Sequence, residues 1–227
     1  MISVSHKFVF VHPPKCGGTS LANIFAPFSA VEVIADTRTE ANWRPYTIVK
    51  KASNVVDFQN YRVAPELEGS LHDPHAKYAS IAKSWKSEWG DISNYHKIGC
   101  IRNPFARAVS FFFDPNFGPK NHPLLILDSR KLFKQWIKQE LTPFWDYFTL
   151  NESHESKRWE MDDYIRLENI ESDCKRVMKK LGLPDRNIPH ANKSRTYDGW
   201  RQFYDDELID YIGNLFKEDI EQFGYSI

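Results

Sequence analysis

Phe8-Val9-Phe10-Val11-His12-Pro13-Pro14-Lys15-Cys16-Gly17-Gly18-Thr19-Ser20-Leu21 carries an apolar strand pattern straight into a Lys-x-Gly-Gly-Thr-Ser turn. Residues Lys7 to His12 read as a buried parallel strand, and the turn reads as a phosphate cradle. Adjacent Gly17 and Gly18 let the backbone approach an anion and point its amides inward. Thr19 and Ser20 then open a helix, running to about Phe25, whose N-terminal dipole favours negative charge. Residue order decides which anion. In the Walker loop the lysine follows the glycines and precedes a Ser or Thr that holds magnesium. Here Lys15 precedes the glycines and Cys16 follows it, so this is not the standard ATPase loop.

Lys97-Ile98-Gly99-Cys100-Ile101-Arg102-Asn103-Pro104-Phe105-Ala106-Arg107-Ala108-Val109-Ser110-Phe111 repeats the strand, turn, helix logic. Arg102 ends the strand, and Pro104 suits the first turn of the following helix. Arg107 and Ser110 then share a face by their i, i+3 spacing. Guanidinium plus hydroxyl is suitable chemistry for a terminal phosphate.

Together the two segments resemble the PAPS-dependent sulfotransferases, in particular the branch of carbohydrate O-sulfotransferases and their small bacterial relatives; PAPS is 3'-phosphoadenosine 5'-phosphosulfate. The resemblance implies a three-layer α/β fold of P-loop NTPase-like type, with a mostly parallel central sheet and helices on both faces. It implies that Lys15, Cys16, Gly17, Gly18, Thr19 and Ser20 form the 5'-phosphosulfate loop. Arg102 and Ser110 match the 3'-phosphate clamp, and Arg107 matches the family's second arginine. Tyr164-Ile165-Arg166-Leu167-Glu168-Asn169-Ile170 is similar to a family strand that ends in glutamate and leads into a helix. His190-Ala191-Asn192-Lys193-Ser194 resembles the loop that closes over the nucleotide, which assigns Lys193 and Ser194 to the donor. PAPS is then the donor substrate and PAP, the 3',5'-diphosphonucleoside, the product, with no metal required.

The 227 residues, 41% of them hydrophobic, fit one α/β domain spanning 1–227. Thirty basic and thirty acidic residues give a net charge of zero, so neither nucleic acid nor an anionic membrane is an expected partner. Anion affinity must therefore be local. Cys16, Cys100 and Cys174 form no CxxC pair, which argues against a disulfide framework or structural zinc and for a reducing compartment. Cys16 has two readings, a reactive thiol or a small loop filler. No apolar run reaches a membrane span, and strand-like residues begin almost at Met1, so the expected protein is soluble, cytoplasmic and bacterial in type. Animal relatives in the resembling family instead carry a Golgi membrane anchor and stem.

Further strands are expected at Val31 to Ala35, near Tyr46 to Lys50, at His96 to Ile101 and at Tyr164 to Leu167. Helices are expected from about His75 to Trp89, from Ser129 as N-cap to Gln139, from Ile170 to Leu181, and from Asp205 to about Phe223. The stretch from Asp36 to Pro74 reads as an acceptor-facing insertion. Alternating strands and helices imply a mostly parallel sheet.

In-line sulfuryl transfer builds charge on the bridging oxygen, and Lys15 with the cradle amides is the group to stabilise it. The acceptor hydroxyl, expected on a saccharide or glycan, needs a general base. His75 and His72 are the candidates, with His12, Glu66 and Glu68 behind them. Trp43, Trp85 and Trp89 are available to stack on sugars, while Phe111, Phe112 and Phe113 read as core. Two other classes compete: a magnesium-dependent nucleotide kinase or phosphoryl transferase on a related fold, and a non-catalytic PAP- or glycan-binding protein.

Overall fold

The computed structural model describes residues 1–3, 6–25, 28, 75–89, 91–114, 118, 126–150, 158–186 and 199–227. The strands expected at Val31 to Ala35 and near Tyr46 to Lys50 lie outside these residues, as do the Asp36 to Pro74 insertion, Trp43, Glu66, Glu68, His72, Lys193 and Ser194.

Among the described residues, four strands form one sheet in the order β1 (Ile2–Ser3), β2 (Phe8–Val11), β3 (His96–Ile101) and β4 (Asp163–Arg166). Short β1 runs antiparallel to β2, while β2, β3 and β4 are mutually parallel. Every residue of β2 is buried, as expected for a strand covered on both faces. The register aligns Val11 with Gly99 and Gly99 with Tyr164, so the three parallel strands end at one edge of the sheet. Ligands of open parallel sheets bind outside that carboxyl edge.

The alternation of side chains assigns the two covering layers. Phe8 and Phe10 pack on Phe25 of α1 (Gly18–Phe25), with ring centroids 5.6 and 5.2 Å apart. Asp163 points to the same face, where it binds Arg176 and Lys180 of α6 (Ile170–Lys180). The opposite face carries Gly99. A Cβ there would come within 3.0 Å of Phe148 in α5 (Phe144–Phe148), so the absent side chain lets the helix lie close. Tyr164 on that face meets Phe223 of α8 (Lys217–Phe223) at 4.7 Å. Helix, sheet and helix make the three-layer α/β arrangement expected from the sequence.

The helix α2 (Tyr78–Trp89) precedes β3, and α3 (Pro104–Phe112) follows it. Asn103 caps α3, its side-chain oxygen accepting from the amides of Phe105 and Ala106 at 3.0 and 3.3 Å, and Pro104 occupies the first turn. Phe105, Val109 and Phe112 of α3 join a second apolar cluster with Phe133 and Ile137 of α4 (Ile126–Glu140) and with Leu208 and Ile212 of α7 (Asp206–Leu215). Phe111 and Phe112 are buried core residues, as read from the sequence.

Two helix boundaries differ from expectation. Helix α4 begins at Ile126, which places Ser129 inside it rather than at its cap. The single helix expected from Asp205 to Phe223 is broken at Phe216, whose backbone leaves the helical region (φ −107°, ψ 23°) while its side chain is buried. The break lets the second half, α8, turn Asp219 toward α5. There its carboxylate accepts the amides of Phe144 at 2.6 Å and Trp145 at 3.0 Å, supplying a cap that Pro143 cannot. The five residues of α5 are too few to show a helical period in the sequence. Among the described residues, no helix is long and apolar enough to cross a membrane.

Candidate active site

The loop after β2 leaves the strand through His12-Pro13-Pro14 and turns at Lys15. This lysine adopts the left-handed conformation (φ 68°), and Gly17 follows in the same region (φ 79°). The two glycines have separate reasons to be glycine. A Cβ on Gly17 would need both that φ and a 2.6 Å approach to Leu167. A Cβ on Gly18 would come within 2.3 Å of Nδ1 of His12, so the ring fits only because Gly18 has no side chain. Ser20 is half-buried in the first turn of α1, and Thr19 lies beside it in the same turn.

Two guanidinium groups from the second segment hold the loop. Arg102 donates to the carbonyl of Lys15 at 3.2 Å, and Arg107 donates through Nε to the carbonyl of Pro14 at 3.0 Å. Occupied carbonyls cannot face an incoming anion, and the successive left-handed and helical residues favour a concave run of amides. Burial pulls the pKa of Arg102 down from the usual guanidinium value, and Glu168 works in the opposite sense.

Two residues of the expected donor set have buried side chains. Arg107 is 1% exposed; besides Pro14 it binds the carbonyl of Thr142 at 2.8 Å and lies 4.8 Å above the ring of Phe144. Its fork is used by the protein itself, whereas Ser110, three residues on, is half-buried. Cys16 is also buried, so only its backbone amide can serve an anion, which matches the loop-filler reading. Burial alone would raise the pKa of its thiol, but the hydrogen bond with Cys100 and the charges of Arg107 and Arg102 outweigh that and lower it.

Lys15 extends to Asp114, just beyond α3, with Nζ 2.7 Å from the carboxylate. Spacing assigns Asp114 no role; its signal in the chain is a position four residues after Ser110. Glu168 also has a contact that spacing does not reveal. It accepts the Asn103 amide at 2.6 Å and the Tyr225 hydroxyl at 3.1 Å, fixing the turn that follows Arg102.

His75 reaches the base of the cradle. Its Nδ1 donates to the carbonyl of His12 at 3.0 Å, and the two rings meet edge to face at 4.9 Å. A carbonyl only accepts, so this bond puts the His75 proton on Nδ1 and makes Nε2 the basic nitrogen. His12 is itself nearly buried, and its Nδ1 has no hydrogen-bond partner among the described residues. Burial first, and the neighbouring His75 second, hold its pKa well below the usual 6.5.

These residues fit an anionic nucleotide: glycines where a Cβ would fill the cradle, carbonyls tied back, and Lys15 and Arg102 at adjacent strand ends. A family model described as "Sulfotransferase family" matches residues 1–226. Comparison with curated proteins and with solved structures gives no match. With the cradle, the arginine turn and the parallel sheet in the expected arrangement, and the match running over nearly all 227 residues, the chain belongs to the PAPS-dependent sulfotransferase family, whose members transfer a sulfuryl group to an acceptor hydroxyl.

Proposed function

We propose that this protein is an O-sulfotransferase that moves the sulfuryl group of PAPS to a hydroxyl of a saccharide or glycan, without a metal, in the cytoplasm. The observation that carries the donor assignment is the linked pair of phosphate segments: the Lys15 loop with its carbonyls held by Arg102 and Arg107. The saccharide acceptor rests on the resemblance of the same segments to the carbohydrate branch.

PAPS supplies an activated sulfuryl group with a phosphate as its leaving group. The amides of Cys16 to Ser20 hold the 5' end, and Lys15 neutralises the charge that builds on the bridging oxygen. Arg102 and Ser110 hold the 3'-phosphate, with Lys193 and Ser194 assigned to the nucleotide as well. Arg107 acts through the loop rather than on the ligand, because its side chain is buried and its Nε and Nη1 already serve Pro14 and Thr142. His75 Nε2 accepts the proton of the attacking hydroxyl, because the carbonyl of His12 holds the proton of the neutral ring on Nδ1 and leaves Nε2 as the accepting nitrogen. His72 is the second candidate for this step.

Calorimetric titration with PAP in EDTA, beside adenosine 5'-phosphate and magnesium-ATP, tests the reading. A preference for PAP that survives chelation supports it. A preference for magnesium-ATP overturns it in favour of phosphoryl transfer. PAP binding without sulfation of any hydroxyl acceptor would favour a binding protein.

A further inference from the structure

The Lys15–Asp114 ion pair sits in a loop otherwise arranged for an anion. Lys15 Nζ and Asp114 Oδ2 are 2.7 Å apart, and both side chains are largely shielded, at 21% and 14% exposure. Partial burial makes the pair stronger than a surface ion pair and puts a fixed negative charge beside the cradle. A nucleotide with phosphates at both ends must therefore compete with a carboxylate for the same ammonium. Asp114 is anchored independently of this pair: its amide donates to Phe111 O at 3.1 Å, and its carbonyl accepts from the Gly118 amide at 2.7 Å. The carboxylate thus stays beside the loop when the lysine swings away.

We propose that Asp114 is a positioning residue that withdraws Lys15 from the nucleotide site and retakes it as the product leaves, speeding the release of a 3',5'-diphosphonucleoside. The inference rests on the donor assignment above. Tight anion binding favours capture of the donor but slows loss of a product that retains both phosphates, and release limits turnover in many enzymes. A competing carboxylate shortens the product's residence. Lys15 remains available while sulfur is in flight, because the charge building on the bridging oxygen in the transition state attracts it more strongly than a single carboxylate does.

The test is calorimetry with PAP in EDTA on wild type, Asp114→Asn, Lys15→Ala and the double variant, with dissociation followed by stopped-flow displacement. Asp114→Asn is expected to bind PAP about tenfold more tightly, with dissociation slowed in proportion. In the Lys15→Ala background the same change is expected to tighten binding by only about twofold. Asp114→Glu, which keeps the charge, is expected to stay near wild type. Equal tightening in both backgrounds would reduce the effect to long-range repulsion and overturn the proposal, as would weaker or unchanged binding in Asp114→Asn. If Asp114→Asn does not fold by circular dichroism, Asp114→Ser carries the same expectation, since the two backbone bonds need no side chain. Wild type failing to bind PAP would remove the donor assignment and this proposal with it. Wild-type binding with no coupling between Asp114 and Lys15 would remove this proposal alone.

Discussion

The Lys15 loop holds two consecutive-but-one residues in the left-handed region and takes its restraints from elsewhere, whereas the Arg102 turn one strand away is relaxed and capped by its own Asn103. Both follow parallel strands and lead into helices. The difference shows where the order comes from. The first turn is shaped by side chains lent by the second: Arg102 on Lys15 O and Arg107 on Pro14 O. The second is pinned in turn by Glu168 and Tyr225. Support therefore runs one way, from the C-terminal elements through the Arg102 turn to the cradle.

Breaking the largest link should have the largest effect. Arg107→Ala strands the buried carbonyl of Pro14 and the half-buried one of Thr142, and removes the guanidinium over Phe144. The expected loss is roughly 3 to 5 kcal/mol in urea denaturation. Arg107→Lys should recover less than half of it, because an ammonium cannot span both acceptors as the fork does. Wild-type-like stability of either variant would contradict the one-way support.

The two phosphate turns should separate in kinetics. Lys15→Ala is expected to lower kcat by about 10² to 10³ with a smaller change in PAP affinity, as for a donor whose contact strengthens in the transition state. Arg102→Ala should instead weaken PAP by roughly tenfold or more. It should weaken adenosine 5'-phosphate less, through the loss of its bond to Lys15 O. Equal losses for both nucleotides would sink the assignment of Arg102 to the 3'-phosphate.

Gly18→Ala probes the strained turn directly. The new Cβ would meet three atoms of the His12 ring at 2.3 to 2.9 Å, so the ring or the loop must shift, at an expected cost of about 1 to 3 kcal/mol. Because the obstacle is a side chain, His12→Ala in the same protein should restore much of the melting temperature. A double variant no more stable than Gly18→Ala would show that the backbone, not the ring, sets the constraint.

Much of this arrangement was legible in the sequence because it is local. Apolar runs gave β2, β3 and β4 within a residue or two, and the Asn103-Pro104 pair marked the start of α3. The cradle was legible for the same reason: its glycines, lysine and helix start are contiguous. Contacts across the chain were not. Lys15 and Asp114 are 99 residues apart, and Asn103 and Glu168 are 65 apart, so no spacing rule connects them. The i, i+3 spacing of Arg107 to Ser110 says nothing of the carbonyls of Pro14 and Thr142 that its guanidinium meets. His75 could be named as a base, but its proton position became readable only from the bond to His12 O.

Loosening the second turn should have a smaller effect that still reaches the first. Glu168→Gln weakens a charge-assisted bond to the Asn103 amide, and Tyr225→Phe removes the hydroxyl on the same carboxylate. About 1 to 2 kcal/mol of stability is expected from Glu168→Gln and less than 1 from Tyr225→Phe. Both should weaken PAP more than adenosine 5'-phosphate, since the turn they fix carries Arg102. Unaltered discrimination between the nucleotides would cut this link from the chain of support.

The weakest signal expected is a pH dependence at the join between β2 and the cradle. Burial, with the nearby His75 adding to it, holds the folded-state pKa of His12 well below 6.5. Below 6.5 the unfolded chain takes a proton that the folded His12 refuses. His12 therefore contributes full stability above 6.5 and loses it as pH falls, by up to about 1.4 kcal/mol per pH unit. Asp219 opposes this trend. Burial pushes its carboxyl up to about 7, ahead of the opposing pull from the amides of Phe144 and Trp145, so the folded state binds its proton more readily and gains stability as pH falls below 7. The wild-type profile therefore mixes opposing slopes, with the buried Met1 amino group, whose pKa burial lowers to about 5, adding to that of His12, and the difference between variants is the informative quantity. Urea titrations of wild type and His12→Gln between about pH 7.5 and 5, a range that brackets the ordinary imidazole value, should diverge in favour of the variant as pH drops. Parallel curves would mean that His12 accepts a proton in the folded state, and that the tight seat against Gly18 opens at no cost to the cradle.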